Sequence, residues 1–72
     1  MRILAVAATA AEVAAFAARL RHTANRTQRV VGYSSGRHDI DILVSGVGMV
    51  AAAAWTSREL ARERYDLALN LG

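Results

Sequence analysis

The 72-residue chain contains no cysteine and no lysine. Without cysteine it has no disulfide staple and no thiolate metal site, two devices by which short chains make up for a small core. Without lysine, every basic residue is an arginine. These arginines run from Arg2 to Arg64, scattered and in no block. A net charge of +3 spread in this way argues against nucleic-acid binding, which needs a basic footprint gathered on one face. No apolar run is long enough to span a bilayer, and the chain shows neither internal repeats nor a linker. Large apolar residues are also few. The hydrophobic fraction is 54%, but much of it is alanine, so burial rests on Leu, Ile, Val, Phe, Met and Trp. A chain of this length is at the lower limit of what folds alone, because small domains bury too little surface to offset chain entropy. Arg2 followed by Ile3–Ala8 and Ala8-Thr9-Ala10 loosely resembles a signal peptide. Its charged part is only one residue deep and its apolar run is short, so a strand followed by a helix is the better reading.

Residues 3–8 form a continuous short apolar run, the pattern of a strand buried on both faces. From Ala10 the period changes. Val13, Phe16, Ala17 and Leu20 follow helical spacing, and Arg19, Arg21 and His22 suit a helix C-terminus, which predicts a helix stopping near His22. Residues 23–28 read as loop. Arg29–Tyr33 reads as a strand, Ser34-Ser35-Gly36-Arg37 as a turn, and residues 39–44 as a second strand, giving a hairpin. Ser45-Gly46-Val47-Gly48 breaks that strand. Met49 to about Arg64 reads as a helix. Its expected inward stripe is Val50, Ala53, Ala54, Ser57, Leu60 and Ala61. Its expected wet face is Arg58, Glu59, Arg62 and Glu63, with Glu59–Arg62 an i, i+3 ion pair. Trp55 falls off the stripe and is expected to be exposed, at a subunit interface or equally as a site for the rest of a longer chain. Leu67–Leu71 reads as a last strand. The order strand, helix, hairpin, helix, strand is an α/β pattern. It ends at Gly72, at the carboxyl end of an apolar strand, where α/β proteins place their sites. Residues 1–72 are therefore expected to be the N-terminal part of one larger α/β domain, poorly folded or oligomeric when isolated.

Two segments carry chemistry. Thr9-Ala10-Ala11-Glu12 has the form of a capping box. It also puts a carboxylate on a first helical turn beyond a buried strand, where it can hold and deprotonate a water. Gly46-Val47-Gly48-Met49-Val50-Ala51 has the form of a dinucleotide fingerprint. That motif wants an acidic residue at the end of the next strand, whereas Asp66 begins that strand and Asn70 ends it. A tight strand-to-helix turn lining a small-molecule site is the other reading. His22 and His38 are isolated and read as surface residues.

Three segments in order, MRILAVAATAAEVAAF, DILVSGVGMVAAA and YDLALNLG, together resemble the start of the nucleosidase branch of the nucleoside phosphorylase superfamily. The likeness covers nearly the whole chain. It implies the N-terminal part of that family's mixed-sheet α/β fold and hydrolysis of a purine nucleoside's N-glycosidic bond. Under it Glu12 activates the attacking water, Ala8 and Thr9 stand beside the ribose and leaving group, and Gly46, Val47 and Gly48 line the sugar side. Phosphorylases of the superfamily hold phosphate with arginines and a Gly-rich loop, so a glutamate at position 12 favours hydrolysis. Ala-Thr-Ala-Ala-Glu with Ser-Gly-Val-Gly-Met-Val-Ala is most similar to the futalosine hydrolases of menaquinone synthesis. Methylthioadenosine/adenosylhomocysteine nucleosidases more often carry Met-x-x-Glu in the first motif. The resemblance further implies a cytoplasmic homodimer with no cofactor and no metal, acting on a small molecule and not on nucleic acid or membrane. The family's catalytic aspartate, ribose-binding glutamate and purine-stacking aromatic match nothing in these residues.

Overall fold

The structure is a computed structural model that describes residues 1–46 and 48–71. In chain order its elements are β1 (Arg2–Ala7), α1 (Ala10–Ala17), β2 (Arg21–Asn25), β3 (Val30–Ser35), β4 (His38–Val44), α2 (Met49–Arg62) and β5 (Leu67–Asn70). The strands form one mixed sheet in the order β2-β3-β4-β1-β5. β1 runs parallel to both β4 and β5, and β3 runs antiparallel to both β2 and β4. This is the α/β class the sequence predicts.

The apolar run at the N-terminus becomes an inner strand because a parallel pair on each side satisfies its backbone while its side chains divide between two faces. Leu4 and Val6 join Val30 and Leu43 beneath Trp55 and Tyr65. Ala5 joins Ile40 and Ile42 on the opposite face, packed by Val13, Ala17 and Leu20. The two helices thus cover opposite faces of the sheet. At the hairpin, Gly36 takes a positive φ of 58° in the two-residue turn with Arg37, the backbone that suits the twist of the flanking strands.

Six expectations are corrected. α1 stops at Ala17 with no basic residue in its last turn, and Arg21 and His22 belong to β2. Residues 23–25, expected as loop for their polar composition, are the rest of that strand, which is mostly exposed. Its pairing with β3 defines it, and a register shift between His22 and Ala24 interrupts that pairing. The stripe of α2 is rotated from the one expected. Ala52, Trp55, Thr56 and Glu59 turn toward the sheet, while Ala53, Ala54, Ser57, Leu60 and Ala61 are exposed; the Val50 side chain lies outside what is described. Trp55, expected to be exposed, packs on the core instead. Glu59, expected on the wet face, is 4% exposed. Phe16 also departs from its stripe, at 37% exposure.

A closed ring of polar side chains explains why α2 turns that way. Arg2 pairs with Asp41 at 3.0 Å and with Glu63 at 3.1 Å. Arg62 pairs with Glu63 at 3.1 Å and grips Glu59 through two bonds of 2.8 and 2.7 Å. The Tyr65 hydroxyl closes the circuit between Glu59 and Asp41. Asp41, 1% exposed, also receives Arg26 at 3.4 Å. Arg26 reaches it past Gly32, the cross-strand partner of Asp41. A side chain at Gly32 would meet Arg26 Nε at 2.9 Å, so this glycine is there for close approach. Burying charged groups is costly unless each is paired and hydrogen-bonded. Among the described residues no buried side-chain polar atom is left without a partner.

Candidate active site

The parallel strands β1, β4 and β5 point their carboxyl ends the same way, and loops leaving those ends line sites in α/β sheets. The ends are tied together. Ser45, 3% exposed, donates its backbone N–H to the Ala7 carbonyl at 2.9 Å, and Leu71 donates to Val6 at 2.8 Å. The chain then turns into α2 through Gly46 and Gly48, with φ values of 84° and 121°. Side chains rarely adopt such values, which accounts for both glycines. Gly48 is the N-cap of α2 and provides no side-chain cap.

Between this turn, β1, β5 and the start of α2 lies a cleft of about 550 Å³, within the range of small-molecule sites. Ala8, Gly46 and Gly48 line it together with Ser45, Thr56 and Asn70. Three of the six positions singled out in the sequence therefore meet in one concavity. Val47 lies outside the described residues. Ser45 and Thr56 are polar groups of the lining that the reading of the sequence did not select. Ser45 stood inside the quoted motif, while Thr56 reaches the cleft only because α2 is rotated.

Thr9 and Glu12 do not line the cleft. Thr9 is extended, with φ −133° and ψ 160°, and caps α1. Its hydroxyl oxygen accepts from the Glu12 N–H at 3.4 Å, and its own N–H donates to Glu12 Oε1 at 3.0 Å. The capping box is formed from both sides. It occupies only one oxygen of the carboxylate: Oε2 of Glu12 accepts no hydrogen bond among the described residues. Capping and chemistry are therefore compatible at this glutamate. Thr9 follows directly on Ala8, a residue of the cleft lining, while the body of α1 packs on the opposite face of the sheet.

The acidic residue a dinucleotide fingerprint requires is at the wrong end of the sheet. Asp66 accepts from the Arg2 N–H at 2.7 Å, beside the start of β1, while Asn70 stands at the cleft. Among the described residues no group of three or more His, Cys, Asp or Glu is placed to hold a metal ion, and no helix is long and apolar enough to cross a membrane. No family model, no curated protein and no solved structure matches the chain.

Proposed function

We propose that this chain carries the water-activating end of an N-ribosyl hydrolase acting on a purine nucleoside, with futalosine as substrate. The observation that supports it is a carboxylate on a first helical turn, one oxygen held by Thr9 and the other without a hydrogen bond among the described residues, close in the chain to Ala8, which lines the cleft with Gly46 and Gly48. A carboxylate fixed at one oxygen has a defined direction for the second. Oε2 can accept a proton from water as the water oxygen bonds to the anomeric carbon. The C–N bond to the purine breaks in the same event, and the departing purine nitrogen needs a proton from an acid. Among the described residues the cleft lining holds no carboxylate, so in this scheme Glu12 takes the proton of the attacking water and the departing nitrogen takes its proton from solvent. The small residues Ala8, Gly46 and Gly48 leave room for the sugar, with Ser45, Thr56 and Asn70 as the polar groups nearby.

Glu12→Gln tests this, in the protein expressed from its own gene. Glutamine preserves the capping box but cannot take the proton. Purine release should fall by about 10²–10⁴-fold with an unchanged melting temperature. Hypoxanthine release from futalosine should also exceed adenine release from methylthioadenosine in a side-by-side assay. Undiminished turnover in the Gln variant would remove Glu12 from the chemistry, and a preference for methylthioadenosine would reassign the substrate.

A further inference from the structure

A second concavity of about 310 Å³ opens on the same sheet face and shares no lining residue with the cleft above. Its lining includes Thr27, Gln28, Arg29, Trp55, Arg58 and the Glu59–Arg62 pair. The charges do not balance. Glu59 is the one acid of the lining and is taken up by Arg62 and Tyr65. Arg29 and Arg58 have no carboxylate partner among the described residues. Three guanidinium groups against one carboxylate leave the pocket a surplus of two positive charges.

The two unpaired arginines are gathered on one ring. The guanidinium carbon of Arg29 lies 4.2 Å from the Trp55 ring centroid and that of Arg58 lies 5.6 Å from it. Measured from a common centroid, the two groups are less than about 10 Å apart, a separation at which like charges still repel at ordinary ionic strength. The attraction of the indole for each cation, about 0.5–1 kcal/mol at exposed sites, holds them in place. Arg29 is further fixed by donating to the Val44 carbonyl at 3.4 Å. Thr27 adds a directed hydroxyl. Its oxygen accepts from the Arg29 and Val30 N–H groups at 3.1 Å each, which leaves its own proton to donate. Gln28 contributes an amide.

The geometry points to a binding site for a small dianion of the phosphate class, free phosphate or a phosphomonoester, held by Arg29 and Arg58 in the pocket they line beside Trp55. Guanidinium forks and a hydroxyl match the oxygens of such a group, and a double negative charge matches the surplus. A long polyanion is a poorer fit, because it needs a continuous basic stripe, and the remaining arginines are scattered.

Trp55 is the chain's single tryptophan, so it reports on its own pocket. Inorganic phosphate titrated into the 72-residue chain at constant ionic strength should give a saturable change in tryptophan emission and a raised melting temperature. Acetate, a monoanion, should give neither. Arg58→Ala, which removes an exposed side chain, should weaken phosphate roughly tenfold or more, as expected for a lost charge-assisted contact, and Arg58→Lys should weaken it less. Arg37→Ala, at the hairpin turn, should bind as the parent does. A phosphomonoester that binds more tightly than free phosphate would identify a metabolite as the source of the dianion; equal affinity would identify phosphate itself. A non-saturable response, an equal response to acetate, or unchanged affinity in Arg58→Ala would overturn the site. None of these readouts involves Glu12, so the hydrolase proposal stands or falls separately.

Discussion

The Tyr65 hydroxyl lies 2.8 Å from Oδ2 of Asp41, a carboxylate that is 1% exposed in the middle of β4. This bond joins the segment after α2 to the sheet, and the same hydroxyl reaches Glu59 on α2 itself. Burial first, and then the bonds to the two carboxylates, hold the phenol proton well above its ordinary range. Tyr65→Phe should leave buried carboxylate oxygens short of a donor and cost about 1–3 kcal/mol. The sign of the pH effect follows from the raised value. The unfolded phenol ionises near pH 10, while the folded one keeps its proton. The contribution of Tyr65 is therefore complete below about pH 10 and is lost as pH rises beyond it. Urea unfolding on both sides of that pH should show an alkaline loss in the parent that Tyr65→Phe lacks; parallel curves would contradict it.

Thr9→Ala removes the acceptor for the Glu12 N–H and should destabilise the chain by about 1 kcal/mol. Thr9→Ser keeps the hydroxyl and should cost much less. Helix content and melting temperature of the two variants, compared with Glu12→Gln, separate the capping function of this segment from its proposed chemistry.

Gly48 sits at φ 121° with nothing within 4 Å of where a Cβ would stand. Gly48→Ala therefore meets no steric neighbour, and its whole effect is backbone strain, about 1–3 kcal/mol for such a region. The denaturation midpoint should drop with an unchanged slope. An unchanged midpoint would mean that the turn adopts another conformation.

β5 pairs only with β1 among the described residues, and Leu67 and Leu69 are 43% and 40% exposed. An apolar sheet edge of this kind invites association. The 72-residue chain should sediment with a concentration-dependent mass. Leu69→Lys, which sets a charge on that edge, should shift it toward monomer, and a monomeric parent at all concentrations would refute the expectation.

The legible parts of this protein were those set by local pattern. The run of residues 3–8 read as a doubly buried strand because it is apolar without interruption, and all but Ala8 of it lies in β1. The hairpin around Gly36 read correctly because turn chemistry is local, and the capping box because its two members are three residues apart. Of the positions singled out in the sequence, Ala8, Gly46 and Gly48 come together at one cleft because the strands that precede them end at the same edge of the sheet. The Arg29–Trp55–Arg58 pocket was not found, because its members are far apart in the chain and periodicity assigned Trp55 to the wrong side of α2.

What the sequence by itself determined is therefore the α/β class, the two helices, four of the five strands and the turns at Gly36 and at Gly46 and Gly48, since these follow from apolar spacing, glycine and caps. The tertiary structure alone decided which face of α2 is buried and whether Arg21–Asn25 is a strand. In α2, alanines weigh little in hydrophobic burial on either side, so the orientation was set by the ring through Arg2, Asp41, Tyr65, Glu59, Arg62 and Glu63. In β2, polar residues carry no strand signal, and the backbone of β3 supplied the pairing. Both outcomes rest on partners distant in the chain, which no local pattern of apolar residues encodes.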